Sequence, residues 1–122
     1  MDLLLNHCTE AGERRSGRAP TGNVRRCKDF ILEHYAQPVT LDELARVSAL
    51  SRFHLVRAFG KFFGLAPHAF QIHVRIQKAQ RLLHAGLPPV SVAAETGFAD
   101  QSHFTHHFMR ITGVTPGRYA RG

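Results

Sequence analysis

The chain has 122 residues and is 43% hydrophobic, enough for one modest domain or two very small linked ones and too apolar for wholesale disorder. No apolar run approaches the roughly 18–20 residues that cross a bilayer, and Leu3-Leu4-Leu5 is too short for a signal peptide, so a cytoplasmic protein without membrane contact is expected. Sixteen Lys and Arg against nine Asp and Glu give a formal charge of +7, which favours a polyanionic partner.

In chain order, the apolar cluster of 1–8 has nothing nearby to bury it. The segment 9–23 is rich in Gly, Ser, Arg and Pro, without apolar periodicity. Residues 1–22 are therefore expected to be a flexible tail or linker, in keeping with the end of a missing upstream domain. From Asn23, which can cap a first turn, Val24, Cys27, Ile31 and Tyr35 recur at helical spacing until Pro38. Cys27 is expected to pack as a small hydrophobe. With Cys8 the chain holds only two cysteines, far from C-x-x-C spacing, and both are expected to stay reduced.

Thr40 with Glu43 three residues later forms a capping-box pattern ahead of a helix whose inner face is Leu41, Leu44 and Ala45. Ser51 caps a third helix, with Leu55, Ala58, Phe59 and Phe63 inward and Gly64 as its stop. Pro67 opens a long helix to about Ala85, with Phe70, Val74, Ala79, Leu82 and Leu83 apolar; Gly86 and Pro88-Pro89 end it. A short helix over 91–96 follows. Asp100 then caps a helix holding Phe104, Phe108 and Ile111, which stops at Gly113, and Pro116 begins a last turn around Tyr119. No segment alternates as a strand does.

The chain also repeats itself. Ala45, Ala49, Leu50, Leu55 and Phe59 correspond to Ala93, Gly97, Phe98, Phe104 and Phe108, with one extra turn residue in the second copy. Each copy is a short helix, a tight turn and a longer helix, the plan in which the second helix enters the DNA major groove. Between Glu43 and Glu95 there is no acidic residue, while Arg46, Arg52, Arg57, Lys61, Arg75, Lys78 and Arg81 fall inside. The connecting helix, roughly 27 Å long, allows two reading helices near one turn of B-DNA apart.

Two stretches carry a family resemblance: LDELARVSALSRFHLVRAFGKFFGLAPHAF with RIQKAQRLL, and GFADQSHFTHHFMRITGVTPGRYARG. Over about residues 23–121 the chain resembles the DNA-binding domain of the AraC/XylS transcription regulators. That resemblance implies an all-α fold of two helix-turn-helix subdomains joined by a long linker helix, a homeodomain-like tandem. The subdomains would occupy 23–66 and 87–122, with the linker helix at 67–86. It further implies sequence-specific binding to double-stranded DNA, contact with RNA polymerase and no cofactor. Lacking a dimerisation element, the chain is expected to be a monomer.

Removing core positions leaves Arg52, Phe53, Val56 and Arg57 outward on the first reading helix, and by similarity these meet bases. Arg57 can pair with guanine O6 and N7, while Phe53 and Val56 suit thymine methyls. On the second, Gln101, Ser102, His103 and His106 point outward as base readers. Thr40, Ser51, Lys61, His107 and Arg110 are candidates for phosphate, together with the amides at both helix N-termini.

Two other classes compete. His103 and His107 have the i, i+4 spacing of two zinc ligands, but position 104 is Phe where a zincin-like site needs Glu, and no third ligand clusters nearby. No catalytic residue or metal site is assigned. A non-specific RNA- or protein-interaction module lacks exposed aromatic platforms, since nearly all Phe fit core positions.

The chain departs from the family pattern at Ala49, where Gly is usual, at Gly60 inside a reading helix, and at His106 and His107, where Arg is common. A neutral imidazole anchors phosphate less well than guanidinium, so the second subdomain is expected to bind more weakly. DNA affinity should rise as pH falls below about 6.5, the reference histidine value. Equal affinity at about pH 5.8 and about pH 7.5 in matched salt would contradict this.

Overall fold

Capping and apolar spacing lay out seven helices along residues 18–122, the part that the computed structural model describes. They are α1 (Arg18–Glu33), α2 (Leu41–Ser48), α3 (Arg52–Phe63), α4 (Pro67–His84), α5 (Pro89–Glu95), α6 (Gln101–Thr112) and α7 (Pro116–Arg121). Among these residues no strand occurs. The expectations for the apolar cluster of 1–8, Cys8 included, and for the rest of the tail up to residue 17 lie outside the described residues.

The chain divides into two compact units, each described by itself. Of the described residues, 18–33 and 39–70 make the first, and 34–38 and 71–122 the second. α4 therefore gives its first four residues to one unit and the rest to the other.

In the first unit α1 starts earlier than expected. Pro20 falls in the first turn, where a missing N–H breaks no intrahelical bond, so the helix extends back to Arg18. Asn23 consequently lies inside the helix rather than capping it, and its side-chain oxygen accepts from the Arg26 guanidinium. The helix ends at Glu33, which removes Tyr35 from its apolar stripe. Val24, Cys27 and Ile31 are fully buried against Leu44 of α2 and Leu55 and Phe59 of α3. Burying each large member of such a core stabilises by roughly 1.5–3 kcal/mol. Burial also pushes the Cys27 thiol above its ordinary value, so it remains protonated and donates to the Leu44 carbonyl at 3.3 Å.

The α2 capping box forms as expected. The Thr40 hydroxyl accepts the Glu43 N–H at 3.1 Å, and the Glu43 carboxylate accepts the Thr40 N–H at 2.9 Å. Leu41, expected inward, is instead exposed. As the first helical residue its side chain tilts off the N-terminal end of the helix. Ser48 takes an inner position, with its hydroxyl donating to the Ala45 carbonyl and accepting from the Leu50 N–H. α3 ends at Gly64 in the left-handed region (φ 79°), and Phe59, Phe63 and Phe70 pack in tilted and edge-on contacts with centroids 4.8–6.0 Å apart.

In the second unit, Ile72, Ile76, Ala79 and Leu83 form the inner stripe of α4 against Val92 and Ala93 of α5 and Phe98, Phe104 and Phe108 around α6. Phe70, expected on that stripe, belongs to the first core. α7, capped by Thr115, packs Tyr119 on Phe108 at 5.4 Å. Arg75 is the main departure from expectation. Counted in the basic field, it is only 8% exposed, and its guanidinium donates to the Tyr35 and Gln37 carbonyls at 2.7 and 3.3 Å. Gln71, one turn earlier, donates to the same two carbonyls at 3.0 and 2.8 Å. Burial lowers the Arg75 pKa below its ordinary value.

The helix-turn-helix repeat closes the same way twice. Leu50 N–H bonds to the Ala45 carbonyl at 3.3 Å, and Phe98 N–H to the Ala93 carbonyl at 3.1 Å. The turn residue is left-handed in both copies: Ala49 at φ 61° and Gly97 at φ 90°. At Gly97 a Cβ would lie 2.7 Å from the carbonyl carbon of Ala36 and 2.8 Å from its Cα, so only glycine fits.

Chemical denaturation tests these positions. Ala49→Gly should stabilise by about 1 kcal/mol, because an L-residue in the left-handed region is strained. Gly60→Ala should add roughly 0.5–1 kcal/mol, since a Cβ there meets nothing within 4 Å. Gly97→Ala should cost about 2 kcal/mol or more. A neutral Gly97→Ala would contradict the close approach to Ala36.

Candidate nucleic-acid interface

The core of the first unit consumes Leu55 and Phe59 of α3 and turns its opposite face outward. Arg52, Phe53, Arg57 and Lys61 are exposed and Val56 is partly buried. Phe53 is 67% exposed, the most open large hydrophobic side chain of the described residues, although it stands at the start of a helix whose other face is core. The Arg57 guanidinium lies 5.5 Å from its ring centroid, and the His54 ring meets it edge-on at 5.9 Å. A flat apolar ring with a cation held beside it offers thymine-methyl contact and guanine-directed donors from adjacent turns.

Arg52 pairs with Asp42 at 3.5 Å, both ends largely exposed. Such a pair contributes at most about 1 kcal/mol, so a phosphate or base can displace the carboxylate. The hydroxyls of Ser51 and Thr40 are already engaged. Ser51 accepts the His54 N–H at 3.1 Å and lies 2.9 Å from His54 Nδ1, and Thr40 holds its capping box. The structure gives both a capping role, and a phosphate contact would have to share those oxygens.

On α6 the core takes Phe104 and Phe108. Gln101, Ser102, His103 and His106 are exposed, and Gln101, Ser102, Thr105 and His106 line one shallow open depression. The Asp100 carboxylate accepts the His103 N–H at 2.7 Å. The N-terminus of α6 thus carries its own anion, which opposes a phosphate there, whereas the cap of α3 is a neutral serine.

His107 and Arg110, expected to flank this face toward phosphate, are turned onto neighbours. The His107 ring is partly buried and stacks on Phe98 at 5.9 Å. Its Nε2 lies 3.2 Å from His103 Nε2, and an Arg110 guanidinium nitrogen lies 2.9 Å from its Nδ1. A cation seated on one ring of the pair opposes a metal there, and among the described residues no three His, Cys, Asp or Glu side chains converge. Sequence reasoning missed Phe98 as the floor of the histidine pair, and missed Gln71 and Arg75 as a buried polar pair. Their i, i+4 spacing beside the apolar stripe of α4 was the available signal.

The comparisons with known proteins agree with this construction. A family described as a helix-turn-helix domain matches residues 44–122. The chain is 36% identical over 103 residues to the uncharacterized HTH-type transcriptional regulator YbfI of Bacillus subtilis, covering 84% of this chain and 38% of that protein. It is 34% identical over 119 residues to the virulence regulon transcriptional activator VirF of Yersinia enterocolitica, covering 95% and 44%. The chain thus spans about two fifths of the length of these curated relatives. Among solved structures, it is similar to the C-terminal domain of AraT, a response regulator from Geobacillus stearothermophilus. That match has 30% identity, a TM-score of 0.76, and coverage of 81% of this chain and 84% of that one. It is also similar to the DNA-binding domain of the global transcriptional factor AdpA, solved with a target DNA, at 29% identity, TM-score 0.75 and coverage of 80% and 89%. A probable AraC family transcriptional regulator from Rhodopseudomonas palustris matches at 27% identity, TM-score 0.74 and coverage of 82% and 95%. The chain belongs to the AraC/XylS family of bacterial transcription regulators, whose DNA-binding domain it carries, and not to an enzyme family.

Proposed function

We propose that the protein binds double-stranded DNA sequence-specifically, with α3 and α6 as the reading helices in two successive major grooves. The observation that carries this reading is the repeated turn followed by a helix with one face spent on a core and the other left outward. In it Arg52, Phe53, Val56 and Arg57 of α3, and Gln101, Ser102, His103 and His106 of α6, meet base edges. Lys61, with shared use of Thr40 and Ser51, meets phosphate, and His107 and Arg110 contribute from the edge of α6 only by sharing the bonds that they make to each other and to His103. The functional division follows 23–66, 67–86 and 87–122, the central segment containing the 18 residues of α4, about 27 Å of helix.

The protein acts as a monomer in the cytoplasm and activates promoters by contact with RNA polymerase. Support for activation comes from the family and from VirF, which is described as a transcriptional activator. Among the described residues no helix is long and apolar enough to cross a membrane.

Binding measured across a panel of duplexes tests the assignments. Arg57→Ala should cost about 1–3 kcal/mol at the preferred site and relax preference at one base pair. Lys61→Ala should weaken binding to all sequences alike and reduce the salt slope by about one. A uniform loss for Arg57→Ala would move Arg57 to the phosphate backbone, and no loss for either would contradict α3 as a reading helix.

A further inference from the structure

Three side chains of α6 form a directed chain of hydrogen bonds on a fixed floor. Arg110 can only donate, so the His107 Nδ1 lying 2.9 Å from its guanidinium must accept. A neutral imidazole that accepts at Nδ1 carries its proton on Nε2. His107 Nε2–H therefore donates to His103 Nε2, 3.2 Å away, and that nitrogen in turn must accept. His103 is left with its proton on Nδ1, an atom for which no partner among the described residues is found. Phe98 holds both rings in place: it is 6% exposed, meets His103 edge-on at 5.8 Å and His107 in a stack at 5.9 Å, and has the Arg75 guanidinium 5.4 Å from its own centroid. Beyond this, the Asp100 carboxylate fixes the His103 backbone by accepting its N–H.

We infer that Arg110 and His107 are positioning residues that set the tautomer of His103, so that His103 presents a hydrogen-bond donor to the DNA and selects against cytosine at one base-pair position. In the major groove guanine offers N7 and O6, adenine N7 and thymine O4 as acceptors, whereas cytosine offers only the N4 amino donor. A donor at His103 Nδ1 can pair with the first three edges and meets another donor at cytosine. The opposite tautomer would present an acceptor and reverse the preference. The inference rests on the proposed placement of His103 against base edges; the tautomer relay itself does not.

Two readouts separate those layers. Ring-nitrogen NMR of the isotopically labelled full chain, without DNA and at mildly alkaline pH, reads the tautomers directly. The expected result is His107 protonated on Nε2 and His103 on Nδ1, with the Nε2–H form of His103 gaining in Arg110→Met and the native form kept in Arg110→Lys, which retains a donor and the charge. Competition binding with each of the four bases at every site position reads the selection. Cytosine should be disfavoured at one position by about fivefold or more in the wild type. That discrimination should be lost in Arg110→Met and His103→Ala and preserved in Arg110→Lys. A native His103 on Nε2–H, or a tautomer indifferent to Arg110→Met, overturns the relay. Correct tautomers with base preferences untouched by His103→Ala overturn the specificity role and, with it, the placement of His103 against bases.

Discussion

In each unit the N–H of the second turn residue reaches back five positions to a carbonyl of the preceding short helix, Leu50 to Ala45 and Phe98 to Ala93. That bond requires the intervening residue to be left-handed, a conformation an L-residue enters only at a cost. The outward faces of α3 and α6 depend on it, because the turn sets the direction in which the following helix leaves and so which side chains the core receives. Once Leu55 and Phe59, or Phe104 and Phe108, are committed inward, the 3.6-residue period decides which residues face out.

The two copies solve the same constraint with different residues. Ala49, exposed to solvent, takes the left-handed conformation with a methyl group in place, whereas Gly97 meets the backbone of Ala36 and leaves no room for one. The copies also differ in the charge at the start of their longer helix. α3 begins at a serine cap and presents Arg57 beside an open phenylalanine, while α6 begins at an aspartate cap and gathers its histidines over Phe98. The chemistry of the first half is cationic and apolar; that of the second is imidazole donor–acceptor chemistry with the cation Arg110 drawn onto a ring.

Much of this was legible in the sequence because it rests on local rules. The capping box at Thr40, the Ser51 and Asp100 caps and the stops at Gly64 and Gly113 each involve residues within one turn of one another. What the sequence did not reveal depends on partners far along the chain. Arg75 looked like one more surface cation, and only the fold shows that it serves carbonyls 38 and 40 residues earlier. Nearer by, Arg110 and His107 read as phosphate candidates, and helical spacing, which says what shares a face, did not reveal that the two also bond to each other. The start of α1 was misplaced for a different reason: Asn23 is a good cap, but Pro20 is an equally good first-turn residue.

The proposed function requires two reading faces acting from one chain, and its most direct test is selection of bound sites from random duplex DNA by the full chain. Two enriched half-sites are predicted, about 10–10.5 base pairs apart centre to centre. Enrichment of a single half-site, or of none, would contradict it.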